Sequence, residues 1–232
     1  HVRWDQDHPA LITVPALVYQ SGSTDNDWQL TMASSLQVKN ASYRDNRLDE
    51  VNLEVHLNLP GNLRVAPVVL TRPDGDVTAE FAMTFAGVPQ CDLKIVKSDG
   101  SVDPRQILLA INPEWMSFLE PITFSPQTKV TCEGSFFLSG EPLLRLRGTI
   151  DTPQCSFRDW TAEQVTANWT LSSGQVRWNV TNASYLGGDL KTTGLYDLEA
   201  KAGNALIIAH NVSLDRFSAK LGLSEKAAGA PP

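Results

Sequence analysis

The sequence predicts a mainly β protein, an elongated and mostly antiparallel curled sheet, built as a half-pipe or a sandwich from two similar β units with a short helical insert. Three observations predict it. Apolar and polar residues alternate with period two over many short stretches. Tight-turn signals separate those stretches every ten to twelve residues, as in antiparallel meanders. The pattern also occurs twice. Ser42-Tyr43-Arg44-Asp45 reads onto Ser156-Phe157-Arg158-Asp159, an offset of 114. One residue is then dropped at Pro60, and Gly61-x-Leu63-Arg64-Val65 meets Gly174-x-Val176-Arg177-Trp178 at an offset of 113. Repetition of turns and alternation, without an acid, base or metal ligand set in a catalytic pattern, points to a surface made by duplication rather than to a catalytic pocket.

In chain order, residues 1–27 form an N-terminal extension with one candidate strand, Leu11 to Tyr19, and a polar turn from Ser21 to Asp27. The first β unit covers 28–99. Trp28, Leu30 and Met32 share one face of a strand, and Leu36 and Val38 continue it. Leu53, Val55, Leu57 and Leu59 alternate with Asn52, Glu54, His56 and Asn58. Pro60-Gly61-Asn62 and Pro73-Asp74-Gly75-Asp76 are turn signals, and Val77 to Phe85 is the next strand.

Residues 100–127 read as a helical insert. Asp103 caps, Pro104 takes the first helical position, and Gln106 completes a capping box. Asn112-Pro113-Glu114 repeats the start, so two short helices are expected, ending near Pro121 and covering an end or one face of the sheet. The second β unit covers 128–220. Its strands run through Val130 to Leu138, Leu144 to Ile150, Val165 to Leu171, Val176 to Val180, Leu190 to Leu198 and Leu206 to Leu214 with Phe217. Ser172-Ser173-Gly174, Gly187-Gly188-Asp189 and Lys201 to Asn204 are turns. The Ala/Gly/Pro-rich tail, 221–232, is expected to be disordered.

Composition narrows the function. The chain has 232 residues, enough for a real core, and a charged fraction of 19%, low for a cytosolic protein. Its net charge is −7 and its cations form no run, which argues against nucleic acid as a partner. The longest apolar stretches are too short to span a bilayer. The chain begins at His1 without a charged-then-apolar leader, so we expect a fragment or processed piece whose anchor lies elsewhere. Cys91, Cys132 and Cys155 are an odd set without metal-ligand spacing and read as small buried hydrophobes.

The stretch from Val130 to Phe217 resembles the AsmA-like family of bacterial envelope proteins, the relatives of TamB and YhdP. The resemblance rests on Leu144-Arg145-Leu146-Arg147-Gly148-Thr149-Ile150, on Trp160 to Trp169, on Gly174 to Leu190 with its Ala183-Ser184-Tyr185-Leu186-Gly187-Gly188 step, and on the closing Val212-Ser213-Leu214-Asp215-Arg216-Phe217. Gly100 to Pro104 is similar to a linker in large members. The first half joins only through the internal repeat. Two departures stand out: the family's N-terminal membrane helix is missing from this sequence, and Trp169 and Trp178 are bulkier than the usual Leu or Val. The resemblance implies a periplasmic segment, anchored in the inner membrane through a part of the parent chain absent here. Its curled sheet would offer an apolar groove to phospholipid or another envelope lipid passing between inner and outer membranes.

The candidate groove lining is Val51, Leu53, Val55, Leu57, Val165, Ala167, Trp169, Leu171, Val176, Trp178, Val180 and Leu190. The same stripes could equally be ordinary core, since alternation alone does not separate groove from core. Other candidates are weaker. His1, Asp5, Asp7 and His8 could hold a metal but read as a solvated end. Asp49, Glu50 and Glu163 recur at equivalent places but have no proton-donor pattern beside them. Five Asn-x-Ser/Thr sequons, at Asn40, Asn168, Asn179, Asn182 and Asn211, fit the wet face of strands. No nucleophile elbow, zinc-protease helix or P-loop is present, so no enzyme and no cofactor is expected. Two other readings stand beside lipid transfer: a β-sandwich module for sugar or protein with Trp4, Trp28 or Trp160 as stacking platforms, and a structural spacer repeat.

Overall fold

Alternating residues with two-residue turns between them fold here into one sheet. The computed structural model describes residues 2–4, 10–21, 28–43, 46–73, 75–85, 87–100, 104–105, 116–137 and 144–220. The strands are β1 (Val2–Trp4), β2 (Leu11–Ser21), β3 (Trp28–Tyr43), β4 (Asn46–Leu59), β5 (Asn62–Arg72), β6 (Gly75–Thr84) and β7 (Gln90–Gly100). After a short helix α1 (Met116–Leu119) come β8 (Ile122–Phe124), β9 (Lys129–Phe137), β10 (Arg145–Phe157), β11 (Trp160–Ser172), β12 (Gln175–Tyr185), β13 (Gly188–Asp197) and β14 (Ala202–His210), then helix α2 (Leu214–Lys220). All fourteen strands belong to one antiparallel sheet, in the order β2, β3 through β7, then β9 through β14. β1 shares the outer edge of β3 with β2, and β8 pairs with β10. The sheet is open, with β2 and β14 as its outer long strands. The sandwich alternative is therefore not formed.

Turn chemistry sets the meander. Ser173-Gly174 and Leu186-Gly187 are two-residue loops in which both residues have positive φ (49° and 73°, 51° and 83°). That backbone twist matches the twist of the flanking strands. Pro60-Gly61 closes the equivalent hairpin of the first unit between Leu59 and Asn62.

The duplication is present in the strand boundaries. β4 begins at Asn46 and β11 at Trp160, an offset of 114. β5 and β12 begin at Asn62 and Gln175, and β6 and β13 at Gly75 and Gly188, both at 113. It extends to cross-strand rows. In the first unit Met32 pairs with Leu57, Leu57 with Leu63 and Leu63 with Met83. In the second, Leu146 pairs with Leu171, Leu171 with Val176 and Val176 with Tyr196, at the same offsets.

A single open layer buries little. The accessible surface is 14806 Å², against about 10,000 Å² for a compact monomer of this mass. The core is a strip: Val77, Ile95, Cys132, Leu146, Leu171, Val176 and Leu198, with Phe118 and Tyr196 packed on it.

One expectation is corrected. The strand from Leu206 does not reach Leu214 and Phe217. Asn211 turns the chain at positive φ (57°), the Ser213 hydroxyl accepts from Arg216 N–H at 3.4 Å, and Phe217 N–H donates to Ser213 C=O at 3.0 Å. Ser213 thus caps α2. In the insert, Pro104 and Arg105 are helical as expected and α1 ends at Leu119, but residues 106–115 lie outside the described residues. The tail 221–232 and the His1, Asp5, Asp7 and His8 group lie outside them too.

Candidate functional site

Directly paired residues of antiparallel strands project from the same face, so the register shows which side chains share a surface. From β4, Val51, Leu53, Val55 and Leu57 pair outward with Val38, Leu36, Ser34 and Met32 of β3. Inward they pair with Leu70, Val68, Val65 and Leu63 of β5, with a bulge at Ala66-Pro67 that preserves the face. The row continues through Phe81 and Ala79 of β6 to Leu93 and Ile95 of β7, then to Gly134 and Cys132 of β9, then to Leu146 and Gly148 of β10. Leu146, Gly148, Ile150 and Thr152 pair with Leu171, Trp169, Ala167 and Val165 of β11. Leu171, Trp169 and Ala167 pair in turn with Val176, Trp178 and Val180 of β12. Leu190 and Tyr196 lie on the same alternation of β13, opposite Ala209 and Gly203 of β14. Along these rows one face thus carries no charged residue and is apolar apart from Ser34, Thr152 and Thr192.

The twelve candidate residues all lie on this surface, but in two groups. Those of β11, β12 and β13 are neighbours. The β4 group is six strands from β11, roughly 29 Å along the sheet at 4.8 Å per strand. Their burial differs: Val165, Ala167, Leu171 and Val176 are buried, and Trp169, Trp178, Val180 and Leu190 half-buried, whereas all four of β4 are half-buried. Of the residues joining the two groups, Cys132 and Leu146 were legible as strand residues, but β7 with Cys91 and Ile95 was not legible as a strand, and none was legible as part of one surface. Strand order across the insert is a long-range property.

Trp169 and Trp178 do not stand up into the surface. Gly148 pairs with Trp169, and a Cβ on it would lie 2.9 Å from Trp169 Cζ2; one on Gly194, opposite Trp178, would lie 2.1 Å from Trp178 Cζ2. Each indole therefore lies over a glycine of the neighbouring strand, the two turned away from each other. Glycine covered by a cross-strand aromatic stabilises a sheet and here keeps the face shallow. Among the described residues the Trp169 indole N–H is buried without a hydrogen-bond partner, as is the Tyr185 hydroxyl, whose pKa burial raises.

Two segments lie against this surface. Phe118 of α1 packs on Tyr196 (ring centroids 4.9 Å apart) and Trp178 (6.2 Å), and Arg158 N–H donates to Pro121 C=O at 3.0 Å, tying the end of the insert to the β10–β11 turn. At the β11 and β12 rim, Trp160 packs on Tyr185 (5.7 Å) and on Phe217 of α2 (6.1 Å). Trp160 is thus engaged although 40% exposed, and Trp28 is 39% exposed.

The opposite face is polar. Glu80 pairs with Lys94, Lys94 with Glu133 and Glu133 with Arg147, a row of alternating charge that Arg64 joins through Glu80 at 3.9 Å. Arg147 Nε donates to Glu133 Oε1 at 2.7 Å. These residues line an open depression of about 640 Å³. The five sequon asparagines are exposed, as are His56, His210 and Glu163. Asn52 and Gln37 hydrogen-bond Glu50 and hold its carboxyl below the ordinary value. Burial pushes the thiols of Cys91, Cys132 and Cys155 up to about 11, and all three are free. Among the described residues, no three His, Cys, Asp or Glu side chains converge as metal ligands, and no helix is long and apolar enough to cross a membrane.

Comparison with protein-family models, with curated proteins and with solved structures finds no match for the chain.

Proposed function

We propose that this chain is a non-enzymatic periplasmic segment of an AsmA-like protein, and that its apolar face carries the acyl chains of phospholipid or another envelope lipid between the inner and outer membranes. The observation that carries this reading is the continuity of that face. The register joins Val55, Val65, Phe81, Leu93, Gly134, Leu146, Leu171, Val176 and Tyr196 in one row from β4 to β13 that holds no charged residue. An acyl chain needs a dry, extended, unspecific surface, and each buried CH₂ contributes about 0.8 kcal/mol. The indoles lying flat over Gly148 and Gly194 support the same reading, because upright tryptophans would block the surface. The free indole N–H of Trp169 supports it as well, since it could donate to an ester oxygen of an occupant. The sequence resemblance supplies the compartment and the anchor outside this chain.

The test is the chain purified without detergent from bacterial periplasm, with bound lipid extracted and identified by mass spectrometry. The reading expects lipid at a fixed ratio and its displacement by a fluorescent fatty acid. A chain that carries no lipid and takes up no fatty acid would sink it.

A further inference from the structure

Charge is distributed over the strands in an unusual order. Among the described strands of nine residues or more, every one paired on both sides carries at least one Asp, Glu, Lys or Arg. The two outer strands carry none: β2 reads Leu-Ile-Thr-Val-Pro-Ala-Leu-Val-Tyr-Gln-Ser and β14 reads Ala-Gly-Asn-Ala-Leu-Ile-Ile-Ala-His. Sheet proteins ordinarily do the reverse, placing charges, lysine above all, on edge strands to stop edge-to-edge pairing. Every residue of both strands is exposed, including Leu17 at 63%, Leu206 at 61% and Ile207 at 66%. Pro15 and the bulge between Thr13 and Ala16 interrupt the first part of β2, so its open edge is Ala16 to Ser21; an apolar, charge-free edge there and along β14 is a pairing surface.

We propose that β14 of one molecule pairs with β2 of a second copy, so that the sheet continues from molecule to molecule. The topology favours this partner. The path from β2 to β14 contains twelve antiparallel strands, an even number, so β2 and β14 run in opposite directions. A copy displaced along the sheet and turned with its twist then sets its β2 antiparallel to β14 without reversing the faces. Leu17 and Tyr19 of the second copy continue the apolar face that Ala205 and Ile207 bring to the edge of the first. Neither strand brings a charge that pairing would bury. The contact is heterologous, so it propagates instead of closing on itself as a two-fold dimer. This inference stands apart from the lipid reading.

Capping one edge at a time tests it, with Leu17→Lys on β2 and Ile207→Lys on β14, each checked for an unchanged β circular-dichroism spectrum. By analytical ultracentrifugation the wild type is expected to grow past the dimer as concentration rises. Each variant alone is expected to stay at 25.4 kDa, and an equimolar mixture to reach twice that mass and stop. Hydrogen exchange of the wild type gives a second readout that needs no variant: amides of β2 and β14 gain protection together at high concentration, while those of β5 do not. A wild type that stays monomeric with both edges unprotected overturns the proposal. So does a Leu17→Lys variant that still dimerises, because that would mean β14 pairs with itself.

Discussion

The row Ser34, Val55, Val65, Phe81 of the first unit and the row Gly148, Trp169, Trp178, Gly194 of the second occupy the same place in the duplicated sheet, at offsets of 114 and 113. In the first, medium residues fill the two central strands and a phenylalanine sits outside them. In the second, the bulk has moved to the centre and glycine takes both flanks. The total is conserved and its distribution reversed, as close packing allows when volume is kept. The neighbouring row shows the energetic counterpart. Leu57 is half-buried, whereas its equivalent Leu171 is 2% exposed, and the ring of Phe118 from the insert packs on Trp178 and Tyr196 of the second unit. One copy of the repeated stripe is a covered core, and the other is more open.

Substitutions can break this comparison, and the sharpest is a matched pair. Leu171→Ala is expected to cost about 2–5 kcal/mol, and Leu57→Ala about 1–2 kcal/mol, read as the difference in urea unfolding midpoints. Equal costs would mean that the two units are covered alike. Gly194→Ala comes next. A methyl 2.1 Å from Trp178 Cζ2 forces the ring to move, for a loss of about 1–3 kcal/mol. The double variant with Trp178→Leu should recover most of it, and strict additivity of the two changes would contradict the stacking described above.

Phe118→Ala should cost about 1–3 kcal/mol by removing a half-buried ring, with a shift of tryptophan emission as Trp178 becomes wetter. An unchanged spectrum would place the insert elsewhere. Raised thiol values predict a shallow alkaline loss. Cys132 holds its proton more tightly folded than unfolded, so its contribution is complete below pH 9 and fades as pH rises toward 11; Cys132→Ala should flatten that part of the stability profile. The smallest effect belongs to the polar face. Glu133→Gln should change stability by less than about 1 kcal/mol, because both partners of its ion pair are solvated.

Much of this fold was legible in the sequence because its determinants are local. Alternation at Leu53 to Leu59, the Ser173-Gly174 turn and the 114-residue echo each lie within a few residues or within one comparison of two stretches. Less local features were not. Leu206 to Leu214 looks like one apolar run, and only the positive φ at Asn211 and the Ser213 cap divide it into strand and helix. Trp169 and Trp178 read as departures that would fill a groove. Their glycine partners, Gly148 and Gly194, stand 21 and 16 residues away, and nothing local links them. The choice between half-pipe and sandwich depended on which strands exchange hydrogen bonds, a property of the whole chain.

The central claim is that one face of the sheet, and not the other, receives an acyl chain. Photoreactive p-benzoylphenylalanine placed at single β4 positions in cells, followed by detection of lipid adducts, tests it most directly. The account predicts adducts from Val51, Leu53, Val55 and Leu57 and none from Asn52, Glu54, His56 and Asn58. Adducts without alternation, or no adducts from any position, would contradict it.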